Sequence, residues 1–237
     1  MVFYQLKVVI NSWLRGEYMK NIRAVIFDMD GLILDSEKIA FKCFKKVLSE
    51  YGYEMSESYY LTLIGTNSKG TKEAMLNRYG SWFPFEVIYE EVLNLIAKEI
   101  EENGVDLKAG VIELIDYLIE CGYKIAVATS THRSKAEKLL KLVNVKDKLN
   151  FIICGDDIVD SKPNPEIFLK AAQGLGVDPK ECIVLEDSKA GIEAAFRAGM
   201  KGINIPDMKK PDSEMKDKAF KIFDSLLDVK KYIENNR

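Results

Sequence analysis

From Arg23 onward, short apolar runs alternate with stretches whose apolar residues recur at helical spacing. The runs "RAVIFD", "YKIAVATS", "NFIICG", "ECIVLED" and "KGINIP" are rich in valine and isoleucine and almost continuously apolar, which predicts strands covered on both faces. Helical stretches separate them: Val111 to Glu120, Ser134 to Leu142, Pro165 to Gly174 and Ala190 to Ala198. Alternation of this kind builds an α/β fold, a parallel sheet with helices on both faces. In such sheets ligands bind beyond the carboxyl ends of the strands.

Residues 36–103 break the alternation and carry no strand pattern. Ile39, Cys43, Phe44, Val47, Leu48 and Tyr51 form one helical stripe, and Val87, Ile88, Val92, Leu95, Ile96 and Ile100 form another. The interval is therefore expected to be an inserted all-helical cap, with 19–35 and 104–237 forming the core. It leaves the chain just after the first strand, so it should hang over that strand's carboxyl end as a lid; an appended bundle that never meets the site is the alternative. Residues 1–18 are read as an N-terminal extension outside the functional argument, because a second methionine, Met19, stands five residues before the first strand. They lack the basic start, apolar middle and small-residue cleavage site of a signal peptide. Near the end, "AFKIFDSLLDVKKYIENN" predicts a last short strand and a closing helix, while "PDMKKPDSEMKDK" before it reads as a polar loop.

Bulk properties narrow the partners. With 237 residues, 47% of them apolar, the chain can fill a substantial core. Thirty-four basic against thirty-seven acidic residues give a net charge of −3, which leaves no global field for a nucleic acid or an anionic membrane. No apolar stretch reaches the roughly 20 residues of a membrane span. Cys43, Cys121, Cys154 and Cys182 lie far apart without a CxxC pair, and are expected to be reduced, as in a cytoplasmic protein. His132 is the only histidine, so a multi-histidine zinc site is excluded. The chain is expected to act as a monomer.

The candidate chemistry sits where strands are expected to end. In "AVIFDMDGLILDS", Asp28 and Asp30 at i and i+2 of a strand would point the same way, and Gly31 lets the backbone turn at once. Two carboxylates that close require a cation, a shared proton or a division of roles; a solvated turn is the plain alternative. "IAVATS" ends in Thr129 and Ser130, a hydroxyl and a backbone amide that could hold an anion or simply cap a helix. Lys162 in "DSKPNPEIF" is stiffened by Pro163 and Pro165, with Asn164 and Pro165 suited to cap the next helix. "CIVLEDS" ends in Glu186, Asp187 and Ser188, with Gly191 placed for close helix packing; hard oxygen ligands of this kind suit magnesium.

In this order, "FDMDGLILDS", "VATS", "SKPNPEIF" and "LEDS" resemble the four signature motifs of the haloacid dehalogenase superfamily, and more narrowly its helical-cap branch of β-phosphoglucomutases and small-molecule phosphatases. The resemblance covers the chain from Asn21 and implies a Rossmann-like core. It implies Asp28 as nucleophile, forming an aspartyl-phosphate, and Asp30 as the acid and base. Thr129, the Ser130 amide and Lys162 would hold the phosphoryl oxygens. Magnesium would be bound by Asp28, the Asp30 carbonyl and Asp187, with Glu186 as a direct or outer partner. Haloalkanoate dehalogenases lack the second acid, so Asp30 argues for phosphoryl transfer.

In the mutases a cap loop after a glycine carries an arginine that holds the substrate's second phosphate, and a histidine stands in the first cap helix. Here a register on Gly65 puts Ser68 at the arginine position, with Lys69 beside it, and Ala40 near the histidine position. The expectation is a magnesium-dependent phosphatase of small sugar or nucleoside phosphates. A phosphohexose mutase is the alternative, and a catalytically silent phospho-ligand binder a third reading. His132 and Arg133 are candidates for reaching the substrate from the core side.

Overall fold

The computed structural model describes residues 21–66 and 68–237; the expected extension at 1–18 lies outside the described residues. Six parallel strands form one sheet in the order β3-β2-β1-β4-β5-β6: β1 (Ala24–Phe27), β2 (Lys124–Ala128), β3 (Phe151–Ile153), β4 (Cys182–Glu186), β5 (Lys201–Asn204) and β6 (Lys221–Ile222). The continuous apolar runs are explained by burial on both faces. In β1, Val25 and Phe27 enter one core cluster, while Ala24 and Ile26 enter the cluster on the opposite face. In β4, Ile183 and Leu185 divide from Cys182 and Val184 in the same way.

The insertion folds as four helices: α1 (Ser36–Glu50), α2 (Glu57–Leu63), α3 (Ser68–Tyr79) and α4 (Phe85–Asn103). Phe44, Val47 and Leu48 of α1 pack in one cluster with Ile88, Val92 and Ile96 of α4. Two residues of the expected stripes face outward, Tyr51 and Val87. The cluster continues through Met29 and Leu32–Leu34 into the sheet, so cap and core share one apolar interior.

Two adjacent linkers carry the cap. Leu34 bridges Leu107 antiparallel, the Asp35 amide donates to the Asp106 carbonyl, and the Lys108 amide donates to the Ile33 carbonyl. The cap leaves and returns beside the end of β1.

Around the sheet run α5 (Val111–Glu120), α6 (Arg133–Leu142), α7 (Glu166–Leu175), α8 (Lys189–Arg197), α9 (Ser213–Lys218) and α10 (Leu226–Asn236). The polar tail differs from expectation. It contains α9, nucleated by the Asp212 side chain accepting from the Met215 amide at 2.9 Å and anchored by buried Met215. Cys43, Cys154 and Cys182 are buried, and all four cysteines are free thiols. Among the described residues, no helix is long and apolar enough to cross a membrane.

Candidate active site

Sheet register assembles the site. Phe27 pairs with Val127 on one side and Leu185 on the other, so the residues that follow, Asp28, Ala128 and Glu186, stand abreast at the carboxyl edge. The strand β1 ends at Phe27, so the pairing of Asp28 and Asp30 does not come from strand alternation. Asp28 extends the ladder by one bond, its amide donating to the Leu185 carbonyl at 3.0 Å. Asp30 instead lies in the tight turn that follows, where the Ile33 and Leu34 amides both donate to the Met29 carbonyl.

Lys162 is the charge centre of the cluster. Its Nζ donates to Asp28 Oδ1 at 2.5 Å, Glu186 Oε1 at 2.7 Å and the Ala128 carbonyl at 3.1 Å. The lysine side chain is 6% exposed, so its charge is poorly screened by water. The Asn164 side chain accepts from the Glu166 amide at 3.0 Å, fixing the turn between Lys162 and α7. The other Glu186 oxygen accepts from the Ser188 amide and hydroxyl at 2.9 and 2.8 Å. Any Cβ at Gly191 would come within 1.9 Å of the Glu186 carboxyl carbon, so glycine there lets α8 approach.

Burial pushes the Asp28 carboxyl up to about 8, opposed by Lys162 and reinforced by Glu186. Asp187 is raised well above its ordinary value, first by burial and then by Glu186 and Asp28. The Lys162 ammonium rises despite burial, because Asp28 and Glu186 face it. Three carboxylates are thus buried together, and Lys162 pairs with two of them, Asp28 and Glu186.

Asp30 is oriented by two hydroxyls: Ser36 donates to Oδ1 at 3.0 Å and Thr131 to Oδ2 at 2.8 Å. The Thr131 amide in turn donates to Thr129 Oγ1 at 3.0 Å, which ties the end of β2 to Asp30. Thr129 is buried and Ser130 exposed; neither caps α6, which begins at Arg133. Above Asp30 and Thr131 lies a cavity of about 300 Å³ between cap and core, lined also by Glu37, Tyr60, Gly65 and Lys135. The Tyr60 hydroxyl donates to Glu37 Oε2 at 2.7 Å inside it.

The structure therefore brings together Asp28, Asp30, Thr129, Lys162, Glu186 and Asp187 at the edge, with Gly65 facing them from the cap. Ser68 and Lys69 are exposed at the start of α3 and do not line the cavity. His132 is turned outward, its side chain 80% exposed and Nδ1 3.9 Å from Asp156. Arg133 is held by Glu137 at 2.9 Å and Asp157 at 2.5 Å, which occupies it structurally. Cys154, Asp156 and Asp157 form a separate group of possible ligands, but burial pushes the Cys154 thiol up to about 11, and both acids already accept from Arg133.

Four residues of this site escaped the sequence reading. Ser36 closes the stretch "FDMDGLILDS", Thr131 directly follows "VATS", and Lys135 lies four residues beyond Thr131. Asp207, which follows β5 in "INIPD", obeys the same strand-end rule as the others. Asp207 Oδ1 receives an ion pair from Lys108, while its Oδ2 is buried without a hydrogen-bond partner among the described residues.

An all-oxygen donor set with excess negative charge and an orphaned carboxylate oxygen fits a hard divalent cation. Gly31 makes room at this point: its φ is +81°, and a Cβ there would lie 2.5 Å from Asp187 Oδ2.

Comparison with known proteins identifies the family and the fold. The sequence profile of the haloacid dehalogenase-like hydrolases matches residues 25–205. A phosphatase of phosphorylated carbohydrates from Thermotoga maritima is 30% identical over 186 residues, covering 77% of this chain and 84% of that protein. CbbY from Rhodobacter sphaeroides, solved in complex with phosphate, superposes with a TM-score of 0.73 at 25% identity, covering 88% of this chain and 96% of that one. β-Phosphoglucomutase from Clostridium difficile superposes with a TM-score of 0.72 at 26% identity, over 90% and 98% of the two chains.

Proposed function

The chain belongs to the haloacid dehalogenase-like hydrolases, and from that premise we propose that it is a magnesium-dependent phosphatase of small sugar or nucleoside phosphates. The observation that carries this reading is the Lys162 bridge between Asp28 and Glu186 beneath an Asp30 held separately by two hydroxyls. The two acids have different surroundings, as a nucleophile and a proton carrier require.

Asp28 is the proposed nucleophile, attacking phosphorus through the carboxylate oxygen not engaged by Lys162. Lys162, Thr129 and the Ser130 amide hold the phosphoryl oxygens as charge shifts onto them. Asp30 protonates the leaving oxygen and later takes a proton from the attacking water. Ser36 and Thr131 keep that carboxyl aimed while both steps occur. Asp28, the backbone carbonyl of Asp30 and Asp187 would hold magnesium, with Glu186 as an outer partner. Bound there, the cation offsets the charge of Asp28 against that of the phosphate.

Likeness to a β-phosphoglucomutase keeps a mutase as the second reading. The cap supports hydrolysis instead. Ala40 lines the cavity without a polar side chain, and Ser68 and Lys69 lie outside its lining. Given β-glucose 1-phosphate with a trace of the bisphosphate and magnesium, the enzyme should release inorganic phosphate; glucose 6-phosphate as main product would establish the mutase.

A further inference from the structure

We propose that Asp207 is an additional positioning residue of the cation site, accepting a hydrogen bond through Oδ2 from a water carried by the metal. The inference rests on the magnesium reading above and adds a residue outside the four motifs. Asp207 follows β5, the strand next to β4, so the sheet delivers it beside Asp187. Its side chain is 5% exposed. Oδ1 is committed to the Lys108 ammonium, and Lys108 also lies 3.5 Å from Asp35 Oδ1.

Among the described residues Oδ2 has no such partner, and burying an unsatisfied carboxylate oxygen is costly. A Cβ built on Gly31 would lie 2.5 Å from Asp187 Oδ2 and 3.5 Å from Asp207 Oδ2, so both oxygens flank one small space over the glycine. Two acid oxygens beside one gap are accommodated by a cation, by the water that a cation orients, or by a shared proton, and a titration with magnesium distinguishes the last from the first two. Magnesium keeps several of its waters when bound to proteins, and those waters donate outward to acceptors of this kind. Lys108 belongs to the returning linker of the cap, so the same carboxylate joins the cation site to that linker.

The Asp207→Asn variant separates this role from a packing role. Lys108 must face the amide oxygen, which leaves the amide nitrogen, a donor, where Oδ2 stood. Shape is retained while the acceptor is lost. Calorimetric titration of the full chain with magnesium should give a dissociation constant about tenfold weaker for Asp207→Asn, and no measurable binding for Asp187→Ala. In chelator, the melting temperature of Asp207→Asn should fall, because the buried ion pair with Lys108 is lost, and its rise on adding magnesium should be smaller than the parent's. Unchanged magnesium affinity in Asp207→Asn, with Asp187→Ala impaired, would overturn the role of Asp207 and leave the magnesium reading standing. A parent that binds no magnesium would overturn both. A metal-free melting temperature lowered in Asp207→Asn with the affinity intact would assign Asp207 to packing.

Discussion

At the scale of single residues, the site is a problem of charge in a dry place. Asp28, Glu186 and Asp187 are each within 9% of full burial, and Lys162 neutralises only one unit of their charge. Burial moves Asp28 from an ordinary 3.8 to about 8 and raises Asp187 as well. Both acids therefore hold their protons more tightly in the folded chain than in the unfolded one. Their contribution to stability is greatest at acid pH and is lost as pH rises toward the folded values. Surface acids such as Asp156 and Glu137, whose values are lowered, are already ionised above about pH 5 and leave that window clear. In chelator, urea unfolding from about pH 5 to about pH 8 should show falling stability, and saturating magnesium should flatten the slope. A rising slope in chelator would contradict the assignment of these acids as a charge-frustrated cluster.

Residues also mark where the sequence was legible. Asp28, Lys162, Glu186 and Asp187 stood out because each follows an apolar strand or a proline-stiffened turn. The convergence of Asp28 with Asp30 was anticipated for the wrong reason, since β1 stops at Phe27 and the turn over Met29–Leu34 sets the second acid. Asp207 was hidden because its partner Lys108 lies 99 residues away along the chain, and no local pattern reports such a pairing.

At the scale of elements, continuous apolar runs became strands and spaced apolar residues became helices. Two helices depart from this, α3, which buries only Thr71 and Met75, and α9, whose short polar sequence buries only Met215 and owes its start to the Asp212 cap. The cap is held by the seam between α1 and α4, and its stability should be measurable apart from chemistry. Ile88 is fully buried in that seam. Ile88→Ala should cost about 2–5 kcal/mol in denaturant unfolding, from lost contacts and an unfilled cavity. A loss below about 0.5 kcal/mol would mean that the seam is not the packed unit described.

Viewed as a whole molecule, the fold divides the work between two bodies that share one apolar interior. The sheet edge carries acids, lysine and hydroxyls, and the cap closes a cavity of about 300 Å³ over them. Sequence patterns revealed both bodies and their order, because periodicity is local. Cavity shape was not legible: Glu37 and Tyr60 meet across α1 and α2, and only packing shows that they do. The sheet edge carries the proposed chemistry, and the cavity between cap and core is where the proposed substrate would be recognised.

The proposed role of Asp28, supported by Lys162 and a cation, is to take the phosphoryl group from a small phosphomonoester. Its most direct test is release of inorganic phosphate from a panel of sugar and nucleoside phosphates by the parent and by Asp28→Asn, each with and without magnesium. Release by the parent that depends on magnesium, and falls by more than about a thousandfold in Asp28→Asn, is the predicted result. Phosphate release by Asp28→Asn at the parent rate would contradict it.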